Sequence, residues 1–368
     1  MSAWFGVRNA GDVPSPSLLL YPDRIRENIR RMIRVAGGPP RLCPHIKTHK
    51  MAEIVRVLLE EGITRCKCAT IAEAEMAAGA GVRDLLIAYP IVGPNVARLL
   101  ELTKRFPATR FSCIADDASA VEHLSKAFSD SARKLEVMLD IDCGQHRTGV
   151  EPGAEATRLY RLIAASTGLA PGGLHVYDGH IHEPDLAKRN ALCTAAFSPV
   201  ESFRKDVLAL GLPVPRVVAG GTPTFPIHAR NQAFECSPGT CVLWDFGYED
   251  KFADLEFLVA AVLLTRVVSK PSVDRLCLDL GHKAVAAENP PPRVRFLDLP
   301  DAKEISHSEE HLVIETGRAA RFAVGDWLFG VPRHICPTVA LYSEATVVRD
   351  GRATERWRIT ARERRLTI

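Results

Sequence analysis

Two short histidine-bearing motifs, one near each end of the chain, combine residue types that can do chemistry. The first is PHIKTHK at residues 44–50, which the pattern places at the end of a strand-like run and the start of a helix. Its Lys47 stands where an amine nucleophile for a Schiff base is expected in a chain of alternating strands and helices. The second is HICPT at residues 334–338, which sets an imidazole and a thiol two residues apart. That spacing is typical of metal ligands.

His334 and Cys336 follow a predicted strand, and in an extended segment alternate residues face the same side. An imidazole and a thiolate suit zinc or another borderline-soft divalent ion. With two protein ligands, water or substrate would complete the coordination, so the site would be catalytic. The alternative is a buried cysteine beside a surface histidine.

Polar side chains, most of them titratable, also follow two further strand-like runs, Leu135–Asp140 and Gly173–Tyr177. Parallel barrels place their active sites at the C-terminal ends of strands, which gives these positions extra weight. We favour a functional role for the second group, against the alternative of an ordinary polar loop. The residues are Asp142, Gln145, His146 and Arg147 after the first run, and Tyr177, Asp178, His180, His182 and Glu183 after the second.

Glycines precede hydroxyl residues at two places, Gly220-Gly221-Thr222 and Gly239-Thr240. Backbone N–H groups in such loops can close on a phosphate. Each motif alone is more typical of a turn, and only the combination with Lys47 makes a phosphate site a competitive interpretation.

Composition indicates a globular protein with a small-molecule partner. The 368 residues are 46% hydrophobic and 25% charged, and the formal net charge of +3 is spread among acidic residues. A nucleic-acid partner is therefore not expected. The 10 cysteines lack the spacing of a disulfide framework, and we expect Cys66 and Cys68 to pack in the core.

The sequence shows no recognisable targeting signal or membrane span, which predicts a cytoplasmic protein without a membrane partner. Residues 1–12 lack a basic region followed by an apolar one, so no secretory signal is visible. The longest apolar stretch, Phe257–Val268, is interrupted by polar residues and is shorter than the roughly 20 residues of a membrane helix.

The order of predicted elements favours a TIM-type (β/α)8 barrel. Short apolar runs alternate with amphipathic stretches from Ser17 to Asp245, beginning with a strand at Leu18–Leu20 and including one that ends at Lys47. The alternative, a doubly wound sheet, lacks a glycine-rich dinucleotide motif after its first strand. Beyond Phe252 the runs are strand-like with little helix between them. We therefore predict a barrel at residues 16–250 and a β-rich domain from residues 1–15 and 251–368.

These motifs together resemble one family: the D-threonine aldolase and D-serine dehydratase group of fold-type III pyridoxal phosphate enzymes, built on the alanine racemase barrel. The resemblance runs over nearly the whole chain. PHIKTHK matches the family's lysine motif, GQHRTGV at residues 144–150 matches its arginine motif, and HICPT is similar to its metal pair.

The resemblance implies a role for each matching residue. Lys47, rather than Lys50, would form the internal aldimine with pyridoxal 5'-phosphate, and His45 would lie beside the cofactor. Arg147 would contact the ring oxygen and Tyr177 would line the site. The phosphate would lie on Gly220, Gly221, Thr222, Gly239 and Thr240, and His334 with Cys336 would bind zinc or manganese.

The same resemblance implies a lyase acting on D-amino acids. We favour a D-threonine aldolase, in which His182 or Glu183 takes the β-hydroxyl proton and the products are glycine and an aldehyde. A D-serine or 3-hydroxy-D-aspartate dehydratase, giving a keto acid and ammonia, is the main alternative. An amino-acid racemase, a non-catalytic pyridoxal phosphate carrier and a sugar-phosphate barrel enzyme are further alternatives. A head-to-tail homodimer would bring Gly281-His282-Lys283 near the other chain's site.

Overall fold

The computed structural model describes residues 3–368, which form two compact units. One consists of residues 30–47, 52–239 and 363–368, and the other of the N-terminal segment to Ile29 with residues 48–51 and 240–362. The predicted domain boundaries at residues 16 and 250 stay a prediction.

The first unit is built on a parallel sheet of seven strands in the order β2-β3-β4-β5-β6-β7-β8. Its interior contains apolar side chains from neighbouring strands, among them Leu86, Ile114, Met138 and Val218. The strands are β2 (Arg65–Cys68), β3 (Asp84–Pro90), β4 (Arg110–Ala115), β5 (Leu135–Ile141), β6 (Leu169–Val176), β7 (Val217–Ala219) and β8 (Glu235–Cys236).

A short extended segment, residues 42–45, joins the two edge strands of this sheet. Cys43 N donates to Cys236 O and His45 N to Pro238 O, both at 2.9 Å. On its other side, Lys67 N donates to Pro44 O, also at 2.9 Å. The segment thus takes the eighth strand position with isolated bridges only. The predicted alanine racemase-like barrel is confirmed.

Helices follow the strands of this unit, as the alternation predicts. Thr70 and Asp117 begin two of them, each side chain accepting a backbone N–H of the first turn. The helices before residue 240 are α1 (Pro22–Ala36), α2 (Ala52–Glu60), α3 (Ile71–Gly79), α4 (Asn95–Arg105), α5 (Ala118–Phe128), α6 (Ala154–Ala165), α7 (Leu186–Ala209) and α8 (Phe225–His228).

Charged side chains at the strand starts close the other end of this sheet. Arg216 bonds Glu235 at 2.8 and 2.9 Å and Asp84 at 3.1 Å. Arg65 and Arg110 pair with the same carboxylates. These interactions tie together strands far apart in the sequence.

The second unit is mainly an antiparallel sheet in the order β12-β13-β10-β9-β1-β15-β16, with β14 pairing β9 and β11. Its strands are β1 (Ser17–Leu20), β9 (Ala261–Ser272), β10 (Arg275–Leu278), β11 (Val294–Phe296), β12 (Lys303–His307), β13 (Leu312–Glu315), β14 (Trp327–Pro332), β15 (Glu344–Arg349) and β16 (Arg352–Arg358). The predicted β-rich domain is confirmed.

Strand β1 corrects one assignment made from the sequence. Leu18–Leu20 is predicted as the first barrel strand, but β1 pairs antiparallel with β9 and parallel with β15. Its three leucines are all buried, and an apolar run of this kind fits a buried strand in either type of sheet.

Three predicted extended segments are helical. Lys47 lies on a 3-10 turn, Ile46–Thr48, and the predicted strand at Cys241–Trp244 overlaps the 3-10 turn Thr240–Val242. Cys336 lies in helix α10 (Ile335–Ala340), after α9 (Phe246–Lys251). Within residues 3–368, every helix is too short or too polar to cross a membrane.

Candidate functional site

A cavity of about 500 Å³ opens in the first unit and brings Lys47 together with other sequence-predicted residues. The 3-10 turn places Lys47 just after the segment that closes the barrel, and Lys47 N donates to His45 Nδ1 at 3.3 Å. The lining residues are His45, Lys47, Lys67, Ala69, Ala88, Tyr89, Pro90, Val92, Ile114, Arg147, Thr148, His175 and Tyr177.

The Tyr177 ring lies among three cationic groups of this cavity. Its centroid is 6.0 Å from Lys47 Nζ, 5.6 Å from Lys67 Nζ and 5.0 Å from Arg147 Cζ. The ring folds back over Gly179, where an added Cβ would come within 2.4 Å of Tyr177 Cε1. Glycine is therefore required there for the tyrosine to take this position.

Asp142 shapes the loop that carries Arg147. Its carboxylate accepts backbone N–H groups from Gly144, Gln145 and His146 at 2.9 to 3.1 Å. Burial opposes the charge, but these N–H donors keep the pKa of Asp142 below its ordinary range. The loop thus keeps a fixed shape although Arg147 itself is exposed.

Asp140 and His175 form a buried pair inside the barrel. His175 Nδ1 and Asp140 Oδ1 are 2.7 Å apart, and Thr148 Oγ1 donates to Asp140 Oδ2 at 2.9 Å. Burial lowers the pKa of His175 by more than the Asp140 carboxylate raises it. His175 Nε2 is buried without a hydrogen-bond partner, which indicates a polar group awaiting a ligand.

Lys67 is a cavity residue that the sequence analysis misses. Cys66 and Cys68 are buried in the core as expected, and strand alternation puts the side chain between them on the opposite face. Both faces of a barrel strand are covered, so that side chain points inward. The sequence does indicate an inward-pointing Lys67. It stands between two core cysteines in a strand whose two faces are both covered, so neither face is open to solvent.

The two predicted glycine loops lie side by side at the ends of β7 and β8. Gly239 N donates to Thr222 Oγ1 at 3.2 Å, and Gly221 N donates to Thr224 Oγ1 at 3.3 Å. Gly220 has a φ of +70°, and a Cβ there would come within 2.4 Å of His228 Cδ2. The loops therefore need glycine and keep a small, fixed cradle.

A buried group supports this cradle. Asp178 Oδ2 and His228 Nε2 are 2.6 Å apart, and Thr224 Oγ1 donates to Asp178 Oδ1 at 2.9 Å. Asp178 and His228 form, with Cys193, a cluster of metal-ligating residue types. Since the carboxylate already binds His228 and Thr224, the group serves to fix the loop.

His182 and Glu183, the predicted bases, do not line this cavity. His182 is exposed with its Nδ1 at 3.2 Å from Gly179 O, and Glu183 Oε1 accepts Asp185 N at 3.1 Å. Their catalytic role stays a prediction.

The second unit contains the predicted metal pair. His334 immediately precedes helix α10 and Cys336 lies in its first turn, so the start of a helix rather than an extended segment places the two residues near each other in the chain. Cys336 Sγ also lies 3.3 Å from Thr48 Oγ1 and 3.6 Å from Thr240 Oγ1. Asp245 accepts Ile335 N at 2.9 Å and so fixes the backbone between the two ligands.

Glu288 completes this group and is a further residue that the sequence analysis misses. Its Oε1 lies 2.5 Å from His334 Nδ1, as in carboxylate–histidine–metal arrangements. Burial lowers the pKa of His334, but Cys336 and Glu288 outweigh it and raise that pKa to about 9. Burial opposes the Cys336 thiolate, yet His334 brings the pKa of the thiol below its ordinary value.

The comparisons with known proteins agree with this architecture. Residues 21–245 match the model of the alanine racemase N-terminal domain. The chain belongs to that family. Residues 260–348 of this family member match a second model, the putative serine dehydratase domain. The family resemblance stated from the motifs is therefore confirmed.

Curated relatives of this alanine racemase family member include both aldolases and dehydratases. A D-threonine aldolase of Arthrobacter sp. is 29% identical, with 95% of this chain and 93% of the relative covered. A 3-hydroxy-D-aspartate aldolase of Paracoccus denitrificans is also 29% identical, over 95% and 92%. A D-threo-3-hydroxyaspartate dehydratase of Delftia sp. is 25% identical, over 93% and 96%.

Two solved structures superpose on nearly the whole chain. The D-threonine aldolase of Filomicrobium marinum superposes with a TM-score of 0.89 at 28% identity, covering 98% of this chain and 99% of that one. The Delftia dehydratase gives 0.79 at 24% identity, over 95% and 98%. The second likeness shows the fold alone.

Proposed function

We propose that this protein is a pyridoxal 5'-phosphate-dependent lyase. The cavity fits that cofactor: it gathers basic side chains from Lys47, Lys67 and Arg147 for an anionic ligand, and it contains the unpartnered His175 Nε2. The glycine loops offer a cradle with no room for a side chain at Gly220. When bound, the cofactor would withdraw electrons from the α-carbon of an amino acid.

We propose that His334 and Cys336 bind a divalent metal, zinc or manganese. The donor set fits, because an imidazole and a thiol stand together at the start of helix α10 and Glu288 holds His334 Nδ1. Such an ion would supply a Lewis acid for a substrate hydroxyl. A solved structure of a cysteine-to-alanine mutant of a D-threo-3-hydroxyaspartate dehydratase is described as the metal-free form, which supports a metal in this group.

Retro-aldol cleavage of a D-β-hydroxy-α-amino acid, as in a D-threonine aldolase, is the reaction that we favour. The observation that carries this choice is the likeness to the Filomicrobium aldolase, at a TM-score of 0.89 over 98% of the chain. Curated aldolases are also 28 to 29% identical, compared with 25 to 26% for the dehydratases.

In this reaction the chain's own residues bind the substrate and move protons. Lys47 supplies the amine that holds the cofactor, and Arg147 and Tyr177 orient it. His182 or Glu183 accepts the β-hydroxyl proton. The Cα–Cβ bond then breaks, its electron pair passes to Cα, an aldehyde leaves, and protonation of Cα gives glycine.

A dehydratase is the second candidate, favoured by the Cys336 thiol, since the family's dehydratase branch is similar in having cysteine there. In this reaction Lys47 would take the α-proton and the β-hydroxyl would leave as water. Hydrolysis would then give a keto acid and ammonia. D-Serine or 3-hydroxy-D-aspartate would be the substrate.

One assay separates the two candidates. The purified protein is incubated with pyridoxal phosphate and D-threonine, D-serine or 3-hydroxy-D-aspartate, with and without chelator, and the products are identified. Glycine with an aldehyde, lost on chelation and absent in Lys47→Ala, supports the aldolase. Keto acid with ammonia contradicts it. Without an absorbance band near about 420 nm that borohydride removes, the cofactor assignment itself fails.

We further propose a cytoplasmic homodimer that acts on a small-molecule D-amino acid, with no nucleic-acid or membrane partner. The head-to-tail arrangement implied by the family resemblance would bring Gly281-His282-Lys283 of one chain near the other's site. Light scattering during gel filtration measures the mass. A monomer with full activity would contradict the shared site.

A further inference from the structure

Lys67 is a buried cation in the cavity, and the attachment of a cofactor to Lys47 does not require it. Its side chain is 2% exposed, and its Nζ lies 5.6 Å from the centroid of the Tyr177 ring. Burial lowers its pKa to about 8, so the amine is still mostly protonated at neutral pH. Lys47 lines the same cavity, which therefore holds two amines.

The surroundings of Lys67 satisfy only part of its hydrogen-bonding capacity and, within residues 3–368, give it no ion-pair partner. Nζ donates to Ser237 Oγ at 2.6 Å, and Ser237 Oγ donates in turn to Gly220 O at 2.8 Å. In the part of the chain that the structure describes, Ser237 is the one hydrogen-bond partner of Nζ, and the carboxylates of Asp140 and Asp178 act on Lys67 only from beyond ion-pair distance. A lysine ammonium has three donors, so one neutral acceptor leaves it under-satisfied.

An uncompensated buried charge is costly, and proteins normally pair it. Barrel strand β2 would accommodate an apolar side chain at this position more easily. A lysine held there by Ser237, next to the glycine cradle, is therefore expected to receive its counter-charge from a ligand. Pyridoxal phosphate carries such charges on its phosphate and ring oxygen.

We propose that Lys67, held by Ser237, is a positioning residue whose counter-charge is the anionic cofactor of the barrel cavity. The proposal rests on the proposed function, because it requires the cavity to bind pyridoxal phosphate. It distinguishes Lys67 from Lys47: Lys47 anchors the cofactor covalently, whereas Lys67 binds it through charge.

The test compares the Lys67→Met, Ser237→Ala and Lys126→Met variants with the wild type. Lys126 is an exposed lysine of helix α5 and serves as the matched control. For each protein, the thermal midpoint of the cofactor-free form and the dissociation constant for pyridoxal phosphate are measured, the latter by absorbance titration.

We expect Lys67→Met to raise the thermal midpoint of the cofactor-free protein by about 2–4 °C or more, because the uncompensated charge is removed. The same variant should bind pyridoxal phosphate about 10- to 100-fold more weakly. Ser237→Ala keeps the charge of Lys67 but removes the hydroxyl that holds its Nζ, so it should weaken binding less than Lys67→Met does. Lys126→Met should change neither the thermal midpoint nor the affinity for pyridoxal phosphate.

Other outcomes overturn the proposal. A lower thermal midpoint with unchanged affinity shows that Lys67 is a structural residue. An unchanged cofactor affinity with a raised KM for the amino acid assigns the counter-charge to the substrate carboxylate. If the wild type itself does not bind pyridoxal phosphate, the proposed function fails rather than this inference alone.

Discussion

Lys67 also makes the stability of the protein depend on pH in a direction opposite to that of most lysines. Its pKa is lowered from 10.5 to about 8 in the folded chain. Between these values the unfolded chain binds more protons, so the free energy of unfolding rises with pH. The titratable groups that act on Lys67 are Cys43, Lys47, Asp140 and Asp178, of which burial keeps the Cys43 thiol neutral by raising its pKa to about 12.

We predict that the cofactor-free Lys67→Met variant is more stable than the wild type below pH 8, by on the order of a few kcal/mol, because it removes a buried charge whose pKa is depressed. This advantage should disappear as the pH rises from about 8 toward 10.5. Urea unfolding of both proteins at pH 7, 8, 9 and 10 measures it. A constant difference over this range would contradict the depressed pKa.

Glu288 allows a prediction about the metal pair. Replacing it in Glu288→Gln removes the carboxylate that holds His334 Nδ1. Loss of such a partner typically costs about 10- to 100-fold in metal affinity, and we expect a loss in this range. Competition with a chromophoric chelator measures zinc affinity directly.

The matched control is Glu344→Gln, an exposed carboxylate of β15 paired with Arg356. It should bind zinc as the wild type does. Equal zinc affinity in Glu288→Gln and wild type would show that the carboxylate does not orient His334. No zinc binding by the wild type would remove the metal site altogether.

The loop after β5 is the element that presents Arg147, and Asp142 fixes it through three backbone N–H groups. We predict that Asp142→Ala loosens the loop and weakens pyridoxal phosphate binding about 10-fold. Leaving these donors unpaired should also lower the free energy of unfolding by about 1–3 kcal/mol. Absorbance titration and urea unfolding measure the two effects.

Asp117→Ala is the control for Asp142→Ala, because it should lower stability without changing the loop after β5. Asp117 caps helix α5, accepting Ala120 N at 2.9 Å. Its removal should cost about 1 kcal/mol of stability without weakening cofactor binding. If both variants affect the cofactor equally, the effect of Asp142 is one of stability and not of loop geometry.

The sequence predicts the elements of the barrel better than their pairing. Alternating apolar and amphipathic stretches indicate where strands and helices lie, because each must bury one face. Leu18–Leu20 shows the limit: its three buried leucines predict a strand, but β9 and β15, its partners, come more than 200 residues later. Register of that kind depends on contacts that no local pattern contains.

The candidate site shows the same limit at the level of side chains. Motifs identify Lys47, Arg147, Tyr177 and the glycine loops, because each stands next to a strand end. Asp140 and His175 lie within strands β5 and β6 and become a pair only through the register between them. Glu288 contacts His334 from 46 residues away along the chain.

At the scale of the whole molecule, the ion-pair network at the strand starts allows a prediction about the free energy of unfolding. Arg216→Met would leave Glu235 and Asp84 mostly buried with fewer partners. We expect a loss of about 3–5 kcal/mol in the free energy of unfolding, measured in urea. Arg158→Met, which breaks an exposed pair with Glu155, should leave stability unchanged. Equal stability of the two variants would contradict a structural role for the network.

The closing segment at residues 42–45 has a consequence for the dynamics of the barrel. It is bound to β8 and β2 by isolated main-chain bonds, and Lys47 lies two residues after its end. Amide hydrogens at such a seam should exchange with solvent through local opening, faster than those in the middle of β5. A cofactor attached to Lys47 would slow that exchange, so loading of the site and closure of the barrel would be one linked equilibrium.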